Sequence, residues 1–448
     1  MGKTREKSII NRLIYGLAVF VLIFVICLIY GIYKENNFND YVKSEYHSGI
    51  SKFKRDKEVK YSDMDTYKII NDEYNDAMFY KTIKVTPNTA YKVTCMVKTQ
   101  DVVTENQNTN AGAHISISDT TEKSKSLTGT NDWTKLEFYF NSKNRETVKL
   151  GFRLGGYSDN VKGQAWFSDF TLESGIADTS NTWKFACFII DSIDVTLKNG
   201  QKVQLSMGLE DISDMRANMQ RFQTSCGRLS NYLMEVEYDI FEIKQPLTTL
   251  SYDEENQYYV GPNDVENLIK DYVDQSDYDH IFVCVRMGDI LSNTEIPTHD
   301  WIGLGGMDYY GIGFSNIRLP NNSKNYIYKY DARINTFPEE VFVHEFLHSL
   351  ERDCKEYGYS VPALHDNSLY GYKEQQLSGL QAWYGDYMTC NIVDKSTGRK
   401  VGIEPSIYTK KPVHKNDFEF SHKLNDFDEP QNAVDEFMSN VGRIFSGK

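Results

Sequence analysis

The sequence predicts a multidomain chain: an N-terminal transmembrane helix, an all-β sandwich, then an α+β domain built around one amphipathic helix. Three observations predict it. An apolar run reaches from Leu13 to Tyr33 with no charge inside it. Short alternating segments, separated by Asn, Asp, Gly, Ser and Thr, fill residues 55–175. Beyond residue 180, strand-like and helix-like patterns alternate up to the segment His344-Glu345-Phe346-Leu347-His348. With 448 residues the chain has room for two or three domains.

The N-terminal run matches the roughly 20 apolar residues that span a bilayer. Lys3, Arg5, Lys7 and Arg12 precede it, so the positive-inside rule predicts a cytoplasmic N-terminus and extracellular later domains. No small-x-small pattern marks a cleavage site after it. Residues 1–34 are therefore expected to be a cytoplasmic tip and signal anchor, and 35–54 a polar tether. The net charge of −14 argues against nucleic acid as a partner and fits an anionic extracytoplasmic protein. Seven cysteines without clustering are no disulfide framework. Cys95, Cys187 and Cys284 sit in apolar strand-like runs as core residues. Cys354 and Cys390 are a candidate pair.

In the sandwich region, Tyr80–Val85, Tyr91–Val97, Ala113–Ile117, Lys135–Phe140 and Val148–Leu154 read as strands. Three segments carry a resemblance: Asp132-Trp133-Thr134-Lys135-Leu136, Leu150-Gly151-Phe152-Arg153-Leu154-Gly155-Gly156, and Gly163 to Leu172 through Trp166-Phe167-Ser168-Asp169. In that order they resemble the jelly-roll carbohydrate-binding modules of the family 4/9 type. The resemblance implies a glycan partner, with Trp133 and Trp166 as sugar platforms, and a structural Ca2+. Both tryptophans also lie in strand-like runs, where a core role competes. Ser168 replaces the first Asp that such modules often carry, which puts the calcium site in doubt.

From about residue 180 to 448 the order is mixed. Trp183 to Asp191 and His280 to Arg286 read as buried strands, and Tyr238 to Ile243 as another. Leu209 to Leu233 is helix-like through Met215, Met219, Phe222 and Leu229, and Asn263 to Val273 is a short helix. Gly303-Leu304-Gly305-Gly306-Met307 reads as a glycine-rich turn or as an edge strand able to take an extended peptide.

The segment Thr336 to Glu351 reads as a helix from its first residue, with Thr336 and Glu339 spaced as a capping box and Pro338 tolerated in the first turn. Val343, Phe346, Leu347, Leu350 and Cys354 form its buried stripe. His344 and His348, four apart, present their imidazoles on one face, the spacing that lets two neutral nitrogens hold one Zn2+. Glu345 follows as a general base toward water. The segment resembles the zincin metallopeptidases, which implies one catalytic Zn2+ and a third ligand downstream. The metzincin continuation fails, because Glu351 and Cys354 stand at its Gly and His positions. His365 is the chosen third ligand, reached by a loop after Gly358; Glu351 is the alternative and otherwise lies behind the histidines. Trp383 to Asn391 resembles a Met-turn, with Met388 beneath the metal and Tyr387 or Tyr384 stabilising an oxyanion.

The expected function is a membrane-anchored extracellular zinc endopeptidase acting on protein or glycoprotein. One alternative is a surface glycan-binding or adhesion protein whose peptidase-like domain is inactive. Another is a zinc hydrolase with a non-peptide substrate.

Overall fold

The structure is a computed structural model. It describes residues 41–106, 111–157, 159–274, 276–289, 293–299, 301–319, 338–365, 381–419 and 422–424. Among the described residues strands hold 47% and helices 20%.

The sandwich contains β1 (Val42–Glu45), β2 (Ser51–Tyr61), β3 (Met64–Asn75), β4 (Ala77–Lys84), β5 (Ala90–Thr104), β6 (Gly112–Ile117), β7 (Gly129–Asn141), β8 (Thr147–Gly155) and β9 (Val161–Gly175). One sheet has the order β1-β4-β8-β6 and the other β2-β3-β9-β5-β7. All these pairings are antiparallel. Alternation puts Phe79, Phe152, Phe167, Val93 and Leu136 between the sheets, as period-two strands require. β1 and the start of β2 lie within 35–54, so the described part of the segment expected to be a tether already belongs to the sandwich.

The second region is a layered α/β unit rather than the expected α+β arrangement. It runs β10 (Thr182–Ile190), the hairpin β11 (Ser192–Thr196) and β12 (Lys202–Ser206), α1 (Leu209–Leu229), β13 (Glu235–Ile243), the short pair β14 (Ser251–Tyr252) and β15 (Tyr258–Tyr259), and α2 (Pro262–Val273). Then come β16 (His280–Arg286), the short pair β17 (Gly288–Asp289) and β18 (Thr294–Glu295), β19 (Gly303–Tyr309), β20 (Ile312–Leu319), α3 (Glu340–Glu356) and α4 (Gln381–Met388). The central sheet has the order β13-β10-β16-β20-β19. It is parallel apart from β19, which runs antiparallel along the edge. Strand β10 is apolar on both faces because both are covered. Phe185, Cys187 and Ile189 face α1, α3 and α4; Ala186, Phe188 and Ile190 face α2 and the β11–β12 hairpin.

Among the described residues no helix is long and apolar enough to cross a membrane. The run Leu13–Tyr33 lies outside the described residues. The expectation of a transmembrane anchor, and the single-pass membrane location built on it, is corrected accordingly: the fold is stated without a membrane-spanning element. Cys354 and Cys390 are both free, so the candidate disulfide is absent.

Candidate metal centre

Helix α3 carries the motif. Its described start is Glu340, with Glu339 at the N-cap. Thr336 lies outside the described residues, so the expected capping box is not part of the described helix. Glu339 instead points to α1, where Ser225 Oγ donates to it at 3.1 Å. Phe346 and Phe342 pack on Phe185 and Phe282 of the sheet, which fixes the helix's rotation and turns His344 and His348 outward. Gly358 takes φ +82°, the left-handed conformation that lets the chain leave a helix. The loop then returns to bring His365 over the motif.

One ligand nitrogen from each of His344, His348 and His365 lies within 4.8 Å of the others. His344 Nε2 and His365 Nε2 are 2.7 Å apart, and their rings stack at 4.8 Å. The His348 ring stands perpendicular to both. An N–H of one ring donating to the other, or a cation shared by two lone pairs, accounts for an approach this close, and three converging imidazoles are a donor set that fits a metal ion. Burial first, then His348 and His365, pushes the pKa of His344 down to about 3. Burial also lowers that of His365. Both are thus neutral at physiological pH, the form that binds metal.

The groups behind the histidines set their orientation. His344 Nδ1 lies 3.0 Å from Tyr384 Oη, a hydroxyl able to accept from Nδ1–H, the tautomer in which Nε2 is left for metal. Glu351 Oε2 faces His348 Nδ1 at 3.7 Å and accepts from Leu364 N at 3.1 Å. A single carboxylate thereby braces one ligand and the loop that delivers another. Its pKa falls to about 2: burial opposes this, and the hydrogen bonds from His348, Lys355 and Leu364 outweigh it. Glu351 is therefore a support for the ligands, not an alternative ligand.

Tyr387 does not face the histidines. It is fully buried, stacks on Trp383 at 4.9 Å and donates to Pro362 O at 2.8 Å. Its expected oxyanion role is corrected to bracing the His365 loop. Met388 is buried in the core beneath α3 but ends helix α4 rather than forming a turn.

Glu345 is 4% exposed and sits against strand β19. The Gly305 N–H donates to its carboxylate, while burial, the dominant effect, raises its pKa to about 7. A Cβ on Gly303 would collide with the Glu345 side chain, and one on Gly305 with its backbone. Arg352 of α3 donates to the carbonyls of Gly306 and Met307, which holds β19 in place. The glycine-rich segment is thus an edge strand and not a turn. The signal in the sequence was two glycines at period two, on one face of a strand.

Of the tryptophans expected as sugar platforms, Trp166 is 3% exposed. Its Nε1 donates to Asp56 at 2.9 Å, and Lys68 covers its ring at 4.1 Å, so it has no open face. Trp133 is half-buried and packs against Tyr61 at 5.3 Å. Among the described residues the histidine set is the one grouping of three or more His, Cys, Asp or Glu ligand atoms, which leaves the expected sandwich Ca2+ without an acidic cage there.

No family model matches this sequence, and no curated protein does. Solved structures match over about a third of the chain. A family 61 carbohydrate-binding module in complex with beta-1,4-galactotriose is 14% identical, covering 30% of this chain and 89% of that one, with a TM-score of 0.23. The xylan-binding CBM22-1 domain of Paenibacillus barcinonensis Xyn10C is 12% identical, covering 31% and 87%, with a TM-score of 0.21. The enzymatically active domain of bacteriophage CBA120 tailspike protein 4 is 11% identical with a TM-score of 0.23; the match covers 30% of this chain and 19% of that one. Carbohydrate-binding modules are thus among the structures similar to this chain. Likeness at this level carries no argument about activity, which rests on the geometry above.

Proposed function

We propose that the chain is a metal-dependent hydrolase that cleaves peptide bonds, with His344, His348 and His365 as the metal ligands and Glu345 as the general base. The observation that carries this reading is the convergence of three imidazole nitrogens within 4.8 Å, one residue away from a carboxyl whose pKa burial raises to about 7. A bound Zn2+ would supply Lewis acidity, polarising the scissile carbonyl and acidifying a water. Glu345 would take a proton from the attacking water on its carboxylate and pass it to the leaving nitrogen. A pKa near the working pH suits both halves of that transfer. The Gly305 N–H keeps the carboxylate aimed during it. Tyr384 and Glu351 hold two imidazoles in the tautomer that leaves Nε2 for metal. Peptide is favoured as substrate because β19 is the last strand of its sheet and runs beside Glu345, so an extended chain can add along its outer edge.

Zinc content and turnover test this together. Wild-type protein should carry about one zinc per chain and lose peptide cleavage to a chelator. Glu345→Gln should keep the zinc and lose roughly 100- to 10,000-fold in turnover. A metal-free wild type, or an active Glu345→Gln variant, would sink the proposal.

A second reading concerns the sandwich, for which we infer a glycan partner. Trp133, half-exposed on Tyr61, favours it, and the modules similar to this chain include a xylan-binding one.

A further inference from the structure

His114 and Arg153 sit directly opposite one another on β6 and β8. They point away from the sandwich core, since their neighbours Ile115, Phe152 and Leu154 fill it. β6 is an edge strand, so side chains on this outer face should be wet. Instead His114 is 1% and Arg153 5% exposed. The second region covers them: Asp308, Tyr309 and Tyr310 close a cleft of about 220 Å3 over this face.

The polar groups in that cleft are arranged for a particular kind of ligand. His114 Nδ1 lies 3.2 Å from Gly112 O. A carbonyl only accepts, so Nδ1 carries the hydrogen and Nε2 is a bare lone pair. Among the described residues that buried Nε2 has no hydrogen-bond partner. Burial, with Lys123 and Arg153 adding to it, holds the imidazole neutral. The Arg153 guanidinium pairs with Asp76 and stacks on the Tyr157 ring at 3.8 Å. Tyr157 itself remains 60% exposed. Lys123 lines the same cleft.

Three ligand classes can be sorted by this set. A phosphate or carboxylate brings only lone pairs and would meet the lone pair of Nε2. A cation would meet Lys123 and Arg153. A hydroxyl both donates and accepts, so it satisfies Nε2 and the cationic donors at once. A flat aromatic face beside such polar groups suits the apolar side of a sugar ring. We propose that this junction cleft binds a neutral saccharide, gripped jointly by the sandwich and the α/β unit. It rests on the glycan reading of the sandwich and not on the metal centre. Asp308 and Tyr309 end β19, whose Gly303 and Gly305 press on Glu345, so the saccharide would sit on the strand that flanks the general base.

Saturation-transfer NMR on the whole protein with galactotriose, xylotriose and N-acetylchitotriose tests this, with inorganic phosphate and glucuronate as anionic controls. At least one neutral trisaccharide should bind, and the anions should not compete. His114→Phe, which removes the acceptor and keeps the ring, should weaken binding about tenfold, the scale of one buried hydrogen bond to an otherwise unmatched group. Tyr157→Ala, which removes a ring that is 60% exposed, should do the same. His344→Ala should leave binding unchanged, which separates this site from the proposed hydrolase. Binding that survives both cleft substitutions but falls in Trp133→Ala would overturn the cleft and spare the glycan reading. No binding by any of the three neutral sugars would overturn both, and preference for an anion would overturn the neutral class.

Discussion

At the scale of the residue, the imidazoles depend on what stands behind them. Tyr384 Oη is the hydrogen-bond partner of His344 Nδ1; Tyr384→Phe removes that partner while keeping the ring. Zinc affinity, measured by competition with a chromogenic chelator, should fall roughly 10- to 100-fold. Glu351→Gln should cost at least as much, because the lost carboxylate served both His348 and the Leu364 amide. An unchanged affinity in both variants would mean that the ligands orient themselves. Tyr387→Phe offers the contrast. It cuts the bond to Pro362 O, so its effect should appear as looser metal binding through the His365 loop, with no separate loss at saturating zinc.

At the scale of the element, the decisive piece is β19. A strand can lie flush against a helix bearing a buried carboxylate only if it presents no side chains there, and Gly303 and Gly305 meet that condition. Gly305→Ala should force β19 off α3, costing about 1–3 kcal/mol of stability as overpacking does. Turnover should drop further than the folded fraction explains; a urea midpoint and activity that fall in step would argue that β19 is only scaffold. The motif helix was legible because its stripe, Val343, Phe346, Leu347, Leu350 and Cys354, repeats at helical spacing, and all five are buried. The return of His365 was legible from the loop's reach after Gly358. Most strands of both sheets were legible from alternation or continuous apolarity. β19 was legible only as one of two readings, edge strand or turn, because a strand whose function is close approach has no apolar pattern to decide between them, and its place against Glu345 follows from packing alone. Helix α4 was not legible: Gln381–Met388 mixes Trp, Tyr, Gly and Asp without an amphipathic period, and only packing on α1 and α3 makes it a helix. The position of Tyr387 failed for the same reason, since its direction follows from that helix.

At the scale of the whole molecule, the two units are joined by more than a linker. Lys143 pairs with Glu356, Asn144 donates to Tyr357 O, and Lys125 pairs with Glu266. At the linker, His414 Nε2 lies 3.0 Å from Asp279 Oδ1, with Lys411 also facing Asp279. Burial disfavours the charged form of His414, but Asp279, Asp277 and Asp417 outweigh it and raise its pKa. A raised histidine contributes stability that is complete below its ordinary value of about 6.5 and is lost as pH rises through the folded value. The urea midpoint should therefore decline as the solution is taken from mildly acid upward through that range, and His414→Gln should flatten the decline. An equal slope in both proteins would place the titrating group elsewhere. The last described strand, β21 (His422–Leu424), pairs with Leu172–Ser174 of β9, and Asp417 O accepts from Ile176 N. Polypeptide that follows the histidine-bearing unit thus completes the sheet that precedes it. Excising either half at the linker near residue 178 would strip backbone partners from the other, so a sandwich expressed alone would expose a raw strand edge and tend to self-associate. Work on the separate parts should keep residues 412–424 with the sandwich, as a tethered or added peptide.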